Sequence, residues 1–286
     1  MPSDRGSVAI VGGGTMGVGL LYVFAAAGYD MTLVEPDMGR ADAAAKRLNT
    51  AAQNGWKRGK LTEAQVGAIT AGYRHVRQAG DLPRGQSLVI ESVPERIDLK
   101  RRVLGEIAER APEIIATNTS ALSIDTLGEA VPDPARFVGM HFFNPVWSLH
   151  LVEIVRGAAT GEETVKAAHG YAEAIGKSAV TVTDTPGFAT SRLDLIAAME
   201  AIRMVEAGVA SAEDIDRAMM VAYRHPIGPL RLSDIVGLDV RLDIARSLSS
   251  SLGERYAPPR MLEEMVARGD LGQKTGRGFF EWPEAA

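Results

Sequence analysis

Along the first two thirds of the chain the apolar positions switch between two periods. Short apolar runs at 8–11, 31–34, 88–90, 114–117, 138–142 and 180–182 predict buried strands. Between them, Met16, Leu20, Val23, Phe24 and Ala27 share a helical face that Gly28 closes, and Leu99, Val103 and Ile107 repeat at i+4. An alanine-rich helix is predicted over 41–54 and a further helix over 165–175, ended by Gly176. Strands that alternate with helices predict an α/β domain with a mostly parallel sheet covered on both faces.

At Asp184-Thr185-Pro186-Gly187 the pattern changes, and no strand-like run follows. Leu195, Met199, Ile202 and Val205 define one helical face. Ile215, Met219 and Ala222 define a second, begun by Ser211 with Asp214 three residues on, a start like a capping box. Val236, Val240, Ile244, Leu248 and Leu252 run at i+4 along a third helix, and Met261, Leu262 and Met265 mark a fourth. The expected organisation is an α/β domain over 1–185 and an all-helical domain over 186–286. The helical part is small for a free-standing core and rich in apolar surface, which points to a homodimer formed through it.

Composition narrows the function classes. The 286 residues are 46% hydrophobic and 23% charged, ordinary values for a globular protein. A net charge of −5 without a large basic cluster argues against nucleic acid as a partner. There is no cysteine, hence no disulfide, thiolate nucleophile or cysteine metal site, and the five histidines lack metal-ligand spacing, so no metal is expected. The opening residues Met1-Pro2-Ser3-Asp4-Arg5-Gly6 carry no apolar leader core, and no stretch reaches the length of a membrane span. A cytoplasmic protein with no membrane partner is the expectation by elimination.

The first predicted strand runs into Gly12-Gly13-Gly14-Thr15-Met16-Gly17, a G-x-G-x-x-G that opens a helix, and the second strand ends on Glu35. This is the context of a dinucleotide fingerprint and of a Rossmann-type domain. Gly12 permits the tight turn, Gly14 lets a pyrophosphate approach the backbone, and Gly17 lets helix and strand pack closely. The helix N-terminus offers free N–H groups and the positive end of its dipole. A carboxylate at Glu35 suits ribose hydroxyls and repels a 2′-phosphate, so the expected cofactor is NAD rather than NADP.

Catalysis needs a group outside the carboxyl ends of the strands. Three segments fall there: 116–120, His141-Phe142-Phe143-Asn144-Pro145, and the run 152–155, apolar except for Glu153. A histidine can accept a proton from an alcohol, and a carboxylate on its other nitrogen would fix the tautomer. His141 with Glu153 is therefore a candidate base and orienter, and Ser120 a candidate donor to the reacting oxygen. Spacing alone leaves equal room for structural roles: a packed strand-end histidine, an edge carboxylate, Ser120 as a helix cap and Asn118 as a turn former.

Together these blocks resemble the L-3-hydroxyacyl-CoA dehydrogenase family in its short monofunctional form. The resemblance spans nearly the whole chain. It runs through the glycine turn, Glu91-Ser92-Val93-Pro94-Glu95, Asn118-Thr119-Ser120, His141-Phe142-Phe143-Asn144-Pro145 and Asp184-Thr185-Pro186-Gly187-Phe188. It continues through Gly228-Pro229-Leu230, Gly237-Leu238-Asp239 and Lys274-Thr275-Gly276-Arg277-Gly278-Phe279. The resemblance implies a reversible NAD-linked oxidation of an L-3-hydroxyacyl thioester. It puts His141 on the catalytic base, Glu153 on its partner and Ser120 on the serine that bonds the reacting oxygen. Gly12, Gly14, Thr15, Met16, Gly17, Glu35, Ser92, Glu95, Lys100 and Asn118 fall on the cofactor side, and Asn144 on the substrate side. Lys57, Arg58 and Lys60 fall on a basic turn that holds CoA phosphates, with a solvated charge cluster as the alternative.

One position departs from the family pattern. Where an asparagine usually precedes Arg-Leu, this chain has Ser191-Arg192-Leu193. A serine is shorter and lacks the amide geometry. Activity with a water in the gap is the expectation, with a different substrate or weak turnover as the alternatives. Two rival functions stand beside the main one: a related dehydrogenase of small hydroxy acids or of another carrier, and a non-catalytic NAD-binding protein.

Overall fold

The computed structural model describes residues 5–283. The reading of the opening residues as free of a leader falls largely on 1–4, outside the described residues. Strands β1 (Ser7–Val11), β2 (Asp30–Val34), β3 (Arg74–Val76), β4 (Leu88–Glu91), β5 (Ile114–Thr117), β6 (Phe137–Phe142), β7 (Leu151–Arg156) and β8 (Ser178–Thr183) form one sheet. Their order is β3-β2-β1-β4-β5-β6-β7-β8. Strands β1 to β6 are parallel, β7 runs antiparallel to β6, and β8 is parallel to β7. Helices α1 (Thr15–Ala26), α2 (Met38–Lys57), α3 (Glu63–Thr70), α4 (Ile97–Ala108), α5 (Ile124–Gly128) and α6 (Glu162–Ala174) lie in the connections.

The central strands β4 and β5 are buried at every residue, as near-continuous apolar runs in a parallel sheet should be. The strand order runs one way from β1 to β3 and the other way from β4 onward, so a crevice opens at the carboxyl ends of the parallel neighbours β1 and β4. The edge strand β8 is partly wet, with Val180 exposed, because nothing pairs with its outer side among the described residues.

The chain divides into two compact units, Met1–Thr185 and Pro186–Ala286. The second holds α7 (Thr190–Glu206), α8 (Ala212–Tyr223), α9 (Pro229–Val236), α10 (Leu238–Leu252) and α11 (Arg260–Arg268). Leu195, Met199, Ile202, Leu230, Leu242 and Leu262 are central in its core. Ser211 caps α8 by accepting the Asp214 N–H at 3.1 Å.

Three sequence expectations change. The run from Val236 to Leu252 is not one helix, because Gly237 at φ +103° ends α9 and begins α10. Val236 and Val240 are consequently turned outward, and Leu238, Leu242, Ala245 and Leu248 form the buried face. In α8 only Ile215 and Asp216 are buried, while Ala222 is exposed and Met219 half-buried. Helix α3 and strand β3 went unforeseen, since each buries too little apolar surface to leave a periodic signal. No helix among the described residues is long and apolar enough to cross a membrane.

Candidate active site and cofactor cleft

The glycine turn is built as the fingerprint requires. Gly12 lies at φ +113°, and its N–H donates to the Val34 carbonyl at 2.9 Å. A Cβ on Gly17 would stand 1.8 Å from the Gly12 carbonyl oxygen, so only glycine lets α1 approach the turn. Gly14 differs from both: its φ is −69°, and a Cβ there would meet nothing within 4 Å. Neither strain nor packing demands glycine at that position, and the open space is room for a ligand against the backbone.

Helix α1 begins at that space with no side-chain cap and no acidic residue in its first turn. Its first N–H groups, at Thr15 and Met16, are orphan donors with the dipole's positive end behind them. Glu35, 5% exposed, closes β2. Its Oε2 accepts the Gly13 N–H at 3.0 Å and its Oε1 the Asp37 N–H at 3.2 Å, which aims the carboxylate along the turn. Gly12, Gly14, Glu35, Val93 and Pro94 line a cavity of about 560 Å³ at the carboxyl ends of β1, β2 and β4. An uncapped helix start, an open glycine and an aimed carboxylate fit the pyrophosphate and ribose of a dinucleotide.

Beside the cavity a charged network ties several elements together. Glu91 ends β4 fully buried, and Lys100 on α4 is 1% exposed. Lys100 Nζ lies 2.8 and 3.0 Å from the two Glu91 carboxylate oxygens, 3.3 Å from the Val93 carbonyl and 3.3 Å from Glu95 Oε2. Glu91 also accepts the Thr117 hydroxyl and the Val93 N–H, each at 2.7 Å. Burial works to raise the Glu95 carboxyl, but the Lys100 ammonium and bonds from Thr119 and Ser120 outweigh it and hold it below the ordinary carboxylate range.

Asn118 joins three strand ends. Its N–H donates to the Glu91 carbonyl at 2.8 Å, its Oδ1 accepts the Phe142 N–H at 2.9 Å, and its Nδ2 donates to Ser92 Oγ at 3.3 Å. Thr117 pairs with Gly139 in the β5–β6 register. Ser120, just beyond β5, and His141, near the end of β6, therefore lie at the carboxyl ends of neighbouring parallel strands.

His141 and Glu153 are direct partners in the β6–β7 register, on the same face of the antiparallel pair. Glu153 Oε2 lies 2.8 Å from His141 Nδ1, with His141 7% and Glu153 0% exposed. With Glu153 as a carboxylate, which only accepts, the pair assigns the donor role to Nδ1 and leaves the ring's lone pair to Nε2. The Phe143 ring packs on the imidazole, centroids 4.5 Å apart. The arrangement is that of a base held by a buried orienter.

Other expected site residues lie elsewhere. Lys57, Arg58 and Lys60 are exposed at the carboxyl end of α2, with no ion pair among the described residues. Asn144 is exposed at a cis Asn144–Pro145 bond. Ser191 is half-buried in the first turn of α7. Sequence reasoning missed Glu91, although a carboxylate closing an apolar run nine residues before a lysine was a usable signal. It also missed Lys177, whose Nζ donates to the Val146 and Leu149 carbonyls and holds the segment after Asn144. Burial pushes that ammonium below the ordinary lysine range. No group of three or more His, Asp or Glu side chains that could hold a metal ion occurs among the described residues.

Comparison with known proteins agrees in both units. Residues 7–185 match the family model described as 3-hydroxyacyl-CoA dehydrogenase, NAD binding domain, and residues 187–282 match 3-hydroxyacyl-CoA dehydrogenase, C-terminal domain. A probable 3-hydroxybutyryl-CoA dehydrogenase of Bacillus subtilis is 37% identical over 280 residues, 97% of each chain. A 3-hydroxybutyryl-CoA dehydrogenase of Mycobacterium tuberculosis is 38% identical over 280 residues, 96% of this chain and 98% of that one. The crystal structure of (S)-3-hydroxybutyryl-CoA dehydrogenase from Ralstonia eutropha superposes with a TM-score of 0.92 at 36% identity, covering 97% of this chain and 99% of that one. With its NAD-binding unit and its C-terminal unit both matched, the chain belongs to the 3-hydroxyacyl-CoA dehydrogenase family.

Proposed function

We propose that this protein catalyses the reversible, NAD-linked oxidation of an L-3-hydroxyacyl-CoA of the short, 3-hydroxybutyryl class to the 3-oxoacyl-CoA. The observation that carries the reading is the buried His141–Glu153 pair, with His141 near the carboxyl end of β6, the end of the parallel strands at which the dinucleotide cavity lies. The relatives' names support the substrate class.

NAD bound along the Gly12–Gly17 turn supplies the hydride acceptor. His141 Nε2 takes the proton of the substrate hydroxyl as the 3-oxo group forms. Glu153 keeps the opposite nitrogen protonated and offsets the positive charge that develops on the ring, inside a buried site where that attraction is strong. Ser120 Oγ donates to the same substrate oxygen. Glu35 accepts from ribose hydroxyls, and the free amides at the start of α1 hold the pyrophosphate. Lys57, Arg58 and Lys60 pair with CoA phosphates, and Asn144 and Ser191 act on the substrate side. The reading includes a homodimer through the helical unit and a cytoplasmic location, where NAD and CoA thioesters are both found.

The test is NADH oxidation, followed by absorbance, with acetoacetyl-CoA as substrate and with NADPH and free acetoacetate as controls. Turnover with NADH and the CoA ester alone is expected. Turnover on free acetoacetate without turnover on the ester would overturn the substrate assignment.

A further inference from the structure

We propose that the indole of Trp147, seated on the Tyr22 ring, is a binding surface for the pantetheine arm of the CoA thioester. The inference rests on the dehydrogenase reading above and deepens it, by naming the residue that recognises the carrier between its thioester and its phosphates.

The connection from β6 to β7 is held from its inner side. The Ser148 and Leu149 N–H groups both donate to the Pro145 carbonyl, at 3.0 and 3.1 Å, and close a tight turn around Trp147. A buried ammonium is costly unless it is hydrogen-bonded. Lys177 Nζ donates to the Val146 carbonyl at 2.5 Å and to the Leu149 carbonyl at 2.6 Å, one on either side of Trp147. Val146 is 1% exposed, and its side chain fills the space that a Cβ on Gly19 of α1 would need, 2.7 Å away. Trp147 takes no part in that burial. It stays 42% exposed while its ring meets the Tyr22 ring, centroids 5.5 Å apart and planes at 51°. A large aromatic side chain held in water by a buried lysine beneath its turn is a surface kept for contact.

Its position joins the two ends of the proposed substrate. The same connection begins with Phe143, whose ring packs on the His141 imidazole. On the other side, the Tyr22 hydroxyl lies against Gly55 of α2, where a Cβ would stand 2.5 Å from it. The Gly55 carbonyl accepts the Lys60 N–H at 2.8 Å, and the Asn54 carbonyl accepts the Arg58 N–H at 3.2 Å, so the basic turn folds back on this part of α2. A CoA thioester with its reacting carbon at His141 and its phosphates on the basic turn must cross the surface between them. The part that crosses is the pantetheine arm, an uncharged chain of amides and methyl groups. The Trp147–Tyr22 pair is uncharged as well, and an aromatic face offers such a chain broad apolar contact. A free 3-hydroxy acid has no arm and gains nothing there, so the ring also favours the thioester over the acid.

The test is steady-state kinetics on the full chain with acetoacetyl thioesters of CoA, pantetheine and N-acetylcysteamine, with NADH Kd and Tm measured alongside. W147A should raise KM for the CoA and pantetheine esters about five- to tenfold, with kcat within about twofold of wild type, the mark of binding lost equally from ground and transition states. Its kcat/KM on the N-acetylcysteamine ester, which lacks most of the arm, should stay within about twofold of wild type. W147F keeps a ring and should recover most of the lost affinity. NADH Kd and Tm should stay near wild type, and W147L carries the same comparison if W147A does not fold. A fall in kcat shared by all the esters is what a merely structural role would give, and it would overturn the inference, as would an unchanged KM. A loss confined to the CoA ester would also overturn it and move the ring to the nucleotide. Wild-type protein inactive on acetoacetyl-CoA would overturn the dehydrogenase reading itself, and active wild type with W147A unaltered would overturn this inference alone.

Discussion

Glu153 stands opposite His141 in the antiparallel β6–β7 register, and its fully buried carboxylate reaches His141 Nδ1 at 2.8 Å. The proposed base is thus oriented by strand pairing, not by loops. One-residue slippage of β7 would turn Glu153 to the other face of the sheet. The two residues meet across the one antiparallel pair of the sheet, β6 with β7, whose register sets them directly opposite.

His141→Ala should lower kcat by about 10²–10⁴-fold, the usual contribution of a general base. Glu153→Gln should produce a loss of similar order, since an amide no longer fixes the tautomer or offsets the imidazolium charge. NADH affinity should change little in either variant, because Glu35 and the glycine turn hold the dinucleotide in the proposed complex. Near-normal turnover in H141A, measured by NADH absorbance, would refute the base assignment.

Gly17→Ala tests the other half of the site. The new Cβ would stand 1.8 Å from the Gly12 carbonyl oxygen, so α1 or the turn must move. The expected cost is about 1–3 kcal/mol of stability, read as a lowered Tm. Loss of measurable NADH binding should accompany it. Gly14→Ala has open space around its Cβ and should leave Tm near wild type while weakening NADH binding. Equal effects of both substitutions on Tm would argue against this division of roles.

Much of this was legible in the sequence, for identifiable reasons. The alternation of β-branched runs with i+4 repeats marked the sheet because buried parallel strands are apolar throughout, as at Leu88–Glu91. Glu153 stood out as a carboxylate inside an apolar run, where a partner is required, and His141 as an imidazole followed by two aromatics and Asn-Pro. The break at Gly237 was hidden because Val236 and Val240 kept the i+4 spacing across it while facing outward. The pairing of Glu91 with Lys100 was hidden for a different reason. Ion pairing between a strand end and the next helix depends on where α4 lies, which no local period encodes.

Acid titration should expose Glu95. Its carboxyl is held below the ordinary range, so the folded state binds a proton less readily than the unfolded chain. The stabilisation is present above the unfolded value and is lost as pH falls through the lowered folded value. Thermal melts of wild type and E95Q from neutral to acid pH should show their largest Tm gap at neutral pH. The gap should close as Glu95 protonates, and a gap that widens on acidification would contradict the sign.

Glu35 should set cofactor choice. Its carboxylate already accepts the Gly13 and Asp37 N–H groups and is the ribose acceptor in the proposed complex. Glu35→Ser removes charged hydrogen bonds, so NADH Kd should rise about tenfold or more. The repulsion against a 2′-phosphate goes with it, and the preference for NADH over NADPH should shrink. An unchanged preference in parallel titrations would remove Glu35 from discrimination.

The helical unit carries the last prediction. Val221 and Tyr223 are 75% and 73% exposed at the carboxyl end of α8, and Leu193, Val209, Ile235 and Val240 are also exposed. The proposed homodimer through the helical unit would cover apolar side chains of this kind. Wild-type protein should scatter light at twice the chain mass of 30.5 kDa. Val221→Asp with Tyr223→Asp puts two charges where a second copy would remove water, and should shift the mass to that of one chain. Because both sites are exposed within a single chain, the folded monomer should lose no more than about 0.5 kcal/mol per substitution. Mass measured over a range of concentrations, alongside Tm, separates dissociation from unfolding. A wild type that stays at the mass of one chain at every concentration would sink the dimer and leave these side chains without a partner of their own kind.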